Sequence, residues 1–125
     1  MAQILIIDDS KAMRDLLREM LQDAGHQVLS AENGLEGLRQ QRKEPADLAI
    51  VDIFMPEKDG MSTIRDLRRE YPRLAILAIS GGDADLTAPD SFLNLAKRFG
   101  ADEALPKPFL AGQLTELVAR LLQRS

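Results

Sequence analysis

Several residue types are missing or rare in this 125-residue chain, which has no cysteine, no tryptophan, one histidine, one tyrosine and four phenylalanines. The absence of cysteine excludes disulfide bonds, thiol nucleophiles and zinc–thiolate sites, and it favours a reducing compartment such as the cytoplasm. A single histidine, His26, excludes a multi-histidine metal site, and the shortage of aromatic rings argues against a flavin-binding module. The candidate chemistry therefore centres on carboxylates.

Excess positive charge and long apolar runs are also absent. The chain has sixteen Lys and Arg residues and twenty Asp and Glu residues. The resulting net charge of -4 gives no general attraction for nucleic acid or anionic lipid. The apolar run 4–7 is far too short for a signal peptide or a membrane span. With 45% hydrophobic and 29% charged residues, the chain is predicted to be one globular domain over residues 1–125, with neither nucleic acid nor membrane as partner.

Short apolar runs alternate with helical patterns along the chain. Runs that are apolar on both faces are typical of a parallel sheet covered by helices on each side. Strict alternation of strand and helix then predicts an α/β fold, a single doubly wound (βα)5 domain. Pro106 lacks a backbone donor, so the fifth strand is expected at an edge of the sheet. The predicted strands are 4–7, 28–29, 48–51, 75–79 and 104–105.

Five helices are predicted from apolar residues at three- and four-residue spacing and from residues that begin or end helices. Ser10 is expected to cap the first helix, which ends at Gly25. The second follows Asn33-Gly34, and the third stops before Pro72. The fourth ends at Gly100, and the last covers 110–122.

Polar side chains follow four of the five predicted strands: Asp8 and Asp9, Asp52, Ser80 and Lys107. The carboxyl ends of parallel strands share one rim, where open α/β folds bind ligands. Each residue alone has an ordinary structural explanation, as a helix start, a turn or a loop residue. Together they favour a site, and three clustered carboxylates suit a hard divalent cation such as Mg²⁺.

Other polar residues are expected to lie outside that rim. His26 follows the far end of the first helix, roughly 20 Å from Asp9 at 1.5 Å per residue, which excludes a Ser-His-Asp triad. Arg65, Arg68 and Arg69 are interleaved with acidic residues in the third helix, so we expect them to form a solvated face.

Five motifs occur together: Asp8-Asp9, the run 52–56 with Gly60 downstream, Ser80-Gly81, Gly100-Ala101, and Lys107-Pro108-Phe109. Over essentially the whole chain, this set resembles the receiver domain of two-component response regulators. The resemblance implies a flavodoxin-like sheet with strand order 2-1-3-4-5. It also implies two-component phosphorelay signalling, in which Asp52 receives a phosphoryl group from a histidine kinase or a histidine phosphotransfer protein.

The resemblance also implies roles for individual residues. Asp9, Asp52 and the backbone carbonyl of Phe54 would bind Mg²⁺ directly, and Asp8 would assist through water. Lys107 would contact a phosphoryl oxygen, and its bond to Pro108 would be a cis peptide. Ser80 would donate its hydroxyl to the phosphoryl group and so switch a partner-binding surface. The resemblance thus implies a phosphoacceptor that assists its own reactions rather than an enzyme acting on other substrates.

The sequence departs from the family pattern at two places. Ala104 stands three residues before the lysine, where the family usually has a Tyr or Phe whose rotamer follows the switch. The segment 81–90 is longer than is common before the fourth helix. We hypothesise that this segment forms a mobile surface loop whose ordering carries the output change.

Alternative functions remain open. Ala104 keeps open a receiver-like module that binds partners without phosphorylation. An aspartyl-nucleophile phosphatase similar to haloacid dehalogenases would need a second Asp where Phe54 stands, which argues against that class. If the chain is complete, it would be a stand-alone receiver that acts on a separate downstream effector protein.

Overall fold

The computed structural model describes residues 2–53, 60–80 and 92–123. Strands and helices alternate as the sequence predicted, with five of each in the described residues. The strands are β1 (Gln3–Ile7), β2 (Gln27–Ala31), β3 (Leu48–Asp52), β4 (Ala75–Ser80) and β5 (Glu103–Pro106). The helices are α1 (Lys11–Asp23), α2 (Gly34–Lys43), α3 (Gly60–Glu70), α4 (Phe92–Phe99) and α5 (Ala111–Gln123).

The five strands form one parallel sheet in the order β2-β1-β3-β4-β5. This confirms the (βα)5 prediction and the strand order that the resemblance implied. It also confirms the edge position of β5, which Pro106 predicted. The three internal strands, β1, β3 and β4, are almost wholly buried, as expected for apolar runs covered on both faces.

Alternate strand residues contribute to two hydrophobic cores, one on each face of the sheet. Helices α2, α3 and α4 cover one face, with a core that includes Leu5, Ile7, Leu38, Val51, Ile64, Leu67, Ile76 and Ala96. Helices α1 and α5 cover the other, with a core that includes Ile4, Ile6, Leu17, Leu21, Ile50, Leu77, Leu114 and Val118. A one-residue slip of a strand would exchange the side chains that these two cores receive, so the packing of each core favours the observed register.

Side-chain caps determine where the first two helices begin. The Ser10 hydroxyl accepts a hydrogen bond from the Met13 amide at 3.2 Å, as predicted. The Asn33 side chain caps α2 in the same way, accepting from the Glu36 amide at 2.9 Å. Gly25 follows α1 with φ of +92°, a left-handed conformation that suits glycine and ends the helix.

The prediction of a solvated face in α3 is wrong for Arg68. Its guanidinium donates to the carbonyls of Gly100 (3.0 Å), Pro72 (2.8 Å) and Leu74 (2.7 Å), and to the Asp102 carboxylate (2.8 Å). A planar fork with five N–H donors can satisfy several turn carbonyls at once, which the sequence spacing did not reveal. The other two arginines of that cluster are exposed, as predicted.

None of the helices in the described residues is long and apolar enough to cross a membrane. The predicted loop 81–90 lies outside the described residues.

Candidate functional site

Each candidate side chain stands at or just after the carboxyl end of a strand. Asp8 and Asp9 follow β1, Asp52 is the last residue of β3, Ser80 ends β4, and Lys107 follows β5. Because all five strands are parallel, these ends lie along one rim of the sheet. The structure therefore places the residues on one rim, as the sequence predicted.

Three carboxylates converge at this rim. One oxygen from each of Asp8, Asp9 and Asp52 lies within 4.8 Å of the other two. Asp8 is fully buried and Asp52 is 5% exposed, whereas Asp9 is open to solvent. The cluster is thus a partly enclosed site with one accessible edge.

Lys107 supplies a positive charge to this cluster. Its ammonium nitrogen lies 3.2 Å from Oδ2 of Asp8 and 3.6 Å from Oδ2 of Asp52. The Lys107 amide donates to the Ser80 carbonyl at 2.7 Å, which fixes the end of β5 beside the end of β4. The Lys107–Pro108 peptide is cis, as the resemblance implied.

The turn between β1 and α1 is fixed by hydrogen bonds around Asp8. The Ser10 amide donates to Asp8 Oδ1 at 2.9 Å, and Arg14 Nη1 donates to the Asp8 carbonyl at 2.7 Å. Sequence reasoning missed Arg14. A signal was present, because α1 has no acidic residue in its first turn and a cation near a helix N-terminus is unfavourable without another partner.

Ser80 is buried at the rim. It is 2% exposed, and its carbonyl accepts a hydrogen bond from the Lys107 amide. Phe54, whose carbonyl was the third expected metal ligand, lies outside the described residues.

The donor set fits a hard divalent cation. Close carboxylates repel one another when ionised, and burial of Asp8 and Asp52 makes that repulsion more costly. Among the ion pairs of the described residues, Lys107 offers one positive charge against three negative ones. Oxygen ligands with excess negative charge are the donors that Mg²⁺ and Ca²⁺ prefer in proteins.

His26 is outside the site, as predicted. It precedes β2 at the opposite rim of the sheet, where its Nδ1 accepts a hydrogen bond from the Ala2 amide at 3.3 Å. Burial lowers the pKa of the His26 imidazole below its usual value, because the charged form loses hydration.

A family model described as the response regulator receiver domain matches residues 4–119. The chain belongs to this family. Receiver domains take part in two-component systems, where phosphorylation-based signalling is their general function.

Several receiver-containing proteins are similar to this chain. The transcriptional regulatory protein CpxR of Klebsiella pneumoniae is 35% identical, over 100% of this chain and 51% of its own length. Chemotaxis protein CheY4 of Vibrio cholerae superposes with a TM-score of 0.85 at 30% identity, over 97% of this chain and 98% of that one. The receiver domain of NtrX from Brucella abortus superposes with a TM-score of 0.89 at 29% identity, over 98% of this chain and 99% of that one.

The chain spans about half the length of the curated relatives that it matches. Receiver domains act with kinases and effectors, and this chain shares their fold and family.

Proposed function

We propose that this receiver domain accepts a phosphoryl group on Asp52 from a phosphohistidine of a histidine kinase or phosphotransfer protein, in a Mg²⁺-dependent reaction. The observation that supports this most is the shared cluster of Asp8, Asp9 and Asp52, with the Lys107 ammonium 3.6 Å from the Asp52 carboxylate. A buried carboxylate at a strand end, with cation-binding groups around it, suits a nucleophile for phosphoryl transfer.

In the proposed step, a carboxylate oxygen of Asp52 attacks the phosphorus atom in line with the phosphorus–nitrogen bond. The new oxygen–phosphorus bond forms as the phosphorus–nitrogen bond breaks. The leaving imidazole keeps that electron pair and takes a proton from solvent. The product is an aspartyl phosphate and a neutral histidine on the donor protein.

Asp9, Asp52 and the backbone carbonyl of Phe54 would hold Mg²⁺, and Asp8 would support it through water. When bound, the metal neutralises charge on the phosphoryl oxygens. Asp8 also accepts the Ser10 amide at 2.9 Å, which orients its carboxylate before any ligand arrives. That fixed orientation reduces the reorganisation needed during the reaction.

Lys107 would move its ammonium from the carboxylates to a phosphoryl oxygen on Asp52. Its nitrogen lies 3.2 Å from Asp8 and 3.6 Å from Asp52, so the charge is already beside the acceptor. Ser80 would donate its hydroxyl to the phosphoryl group. This bond exists only in the phosphorylated state, so it biases the segment after β4 toward a second arrangement that an effector reads.

The test is a time course of intact mass with acetyl phosphate and Mg²⁺. Wild type should gain the mass of one phosphoryl group, and Asp52→Asn should gain none. Asp23→Asn, which removes an exposed carboxylate of α1 away from the rim, is the matched control and should behave as wild type. An equal adduct on Asp52→Asn would contradict the proposal.

A second candidate is a receiver-like module that binds partners without phosphorylation. Ala104 favours it, because this half-buried residue of β5 has no side-chain rotamer to report a change at Ser80. This candidate predicts that wild type and Asp52→Asn bind the effector equally well after acetyl phosphate treatment. The proposed function predicts that only wild type changes its affinity. The absence of cysteine leads us to place either activity in the cytoplasm.

A further inference from the structure

Gly60, the first residue of α3, packs directly on the backbone of the Asp52–Ile53 peptide. A Cβ atom at this position would lie 2.8 Å from the carbonyl carbon of Asp52, and closer still to its carbonyl oxygen and to Ile53 Cα. These are backbone atoms, so no side-chain rotation can relieve the overlap. The position therefore requires glycine if the peptide is to stay where it is.

The Asp52–Ile53 peptide is also held by the neighbouring strand. Asp52 pairs with Ile79 of β4, and the Ile53 amide donates to the Ile79 carbonyl at 3.0 Å. A shift of this peptide relative to β4 would disturb the pairing at the end of the strand.

Helix α3 is equally constrained. Thr63, Ile64 and Leu67 are all fully buried and fix the first two turns of the helix against the sheet. Close-packed interiors do not accommodate an added methyl group without strain or repacking. A side chain at position 60 must therefore push either the helix or the Asp52 peptide.

We propose that Gly60 is a positioning residue for the Asp52 carboxylate. The inference rests on the proposed function, in which Asp52 is the phosphoacceptor. Because the side chain of Asp52 projects from the same residue whose carbonyl Gly60 contacts, a shift of that peptide changes the distance of 3.6 Å between Asp52 and Lys107. A misplacement of about 1 Å in a reacting group can reduce a rate roughly 100-fold.

The test compares three alanine variants in the acetyl phosphate reaction. Gly60→Ala should be phosphorylated roughly 10- to 100-fold more slowly than wild type. Gly112→Ala is the matched control, because Gly112 also lies in the first turn of a helix but has open space where a Cβ would be added. Leu121→Ala, at the far end of α5, controls for general destabilisation. Both controls should keep the wild-type rate when folded.

All rates are compared at equal folded fraction, measured by circular dichroism. If Gly60→Ala is partly unfolded, every variant is measured with trimethylamine N-oxide, which favours the compact state. A Gly60→Ala rate within twofold of wild type would overturn the inference. An equal loss of phosphorylation rate in Leu121→Ala would overturn it as well, because the slower reaction would then follow from general destabilisation of the domain.

Hydrogen exchange at the Ile53 amide gives a readout that does not depend on phosphorylation. Gly60→Ala should exchange this amide faster than wild type, while amides in the middle of β3 stay protected. If wild type takes up no phosphoryl group, the proposed function fails, and this exchange result still decides whether Gly60 fixes the Asp52 peptide. Unchanged exchange at Ile53 would overturn the positioning role.

Discussion

The Lys107 ammonium lies 3.2 Å from the Asp8 carboxylate, although 99 residues separate the two in sequence. The Asp8 side chain is fully buried and that of Lys107 is 16% exposed. Breaking one side of such a pair leaves a buried charge, which is costly. This pair joins the ends of the first and last strands and sets the electrostatics of the rim.

Replacing Lys107 should slow phosphorylation of the folded domain, and it should also lower the free energy of unfolding because the buried Asp8 carboxylate loses a partner. Lys107→Met keeps the length of the side chain and removes its charge, so developing charge on the phosphoryl oxygens loses a preorganised partner. Loss of one such group typically costs about 100- to 1000-fold in rate. Intact mass against time measures the rate, and Lys107→Arg, which keeps the charge, should lose less. A Lys107→Met rate near that of wild type would exclude a role for this ammonium.

Divalent cations should stabilise the folded domain. Because the three carboxylates repel one another, a cation bound among them stabilises the native state. At a free cation concentration of about 100 times the Kd, the free energy of unfolding should rise by about 2.7 kcal/mol. Urea unfolding with increasing Mg²⁺ measures this change in the free energy of unfolding.

The effect of Mg²⁺ should be lost in Asp9→Asn and kept in Asp23→Asn, an exposed position away from the rim. Equal stabilisation of both variants by Mg²⁺ would place the metal elsewhere.

Arg68→Ala should destabilise the domain without removing phosphoacceptance. The substitution leaves three carbonyls and the Asp102 carboxylate without their donor, and these bonds join α3 to the turns before β4 and β5. Each hydrogen bond to a charged group contributes about 1.5–3 kcal/mol, so the loss should exceed 2 kcal/mol. Urea unfolding checks this, with exposed Arg69→Ala expected to stay within about 0.5 kcal/mol of wild type.

Stability should fall as the pH drops below about 6.5, in part through His26. Its pKa is lowered by burial in the folded state, so the unfolded chain binds a proton more readily than the folded one. The contribution is therefore fully present above about pH 6.5 and is lost as the pH falls toward the folded pKa. Protonation at Nδ1 also removes the acceptor for the Ala2 amide.

Urea unfolding between pH 5 and 8 measures the effect of His26. The difference in stability between wild type and His26→Gln should depend on pH in that window. A constant difference would show that His26 is not responsible.

The fold was largely predictable because its signals are local. Uninterrupted apolar strands, Ser10 as a cap and Pro106 at a strand end each have a direct physical meaning. The rim residues were predictable because parallel strands bring their carboxyl ends together.

Contacts between distant turns were not predictable in this way. The network of Arg68 depends on carbonyls that only the folded chain brings within reach. Arg14 donates to the Asp8 carbonyl, and Gly60 packs on the Asp52 peptide. Gly60 was part of the recognised motif set, but spacing alone does not reveal what either residue contacts.

The most direct test of the central claim is to locate the phosphoryl group after transfer from a phosphorylated histidine phosphotransfer protein. Borohydride reduction of the acyl phosphate followed by peptide mass spectrometry identifies the modified residue. The account predicts modification at Asp52 alone, dependent on Mg²⁺ and absent from Asp52→Asn. Modification at another residue, or transfer that is unchanged in Asp52→Asn, would contradict it.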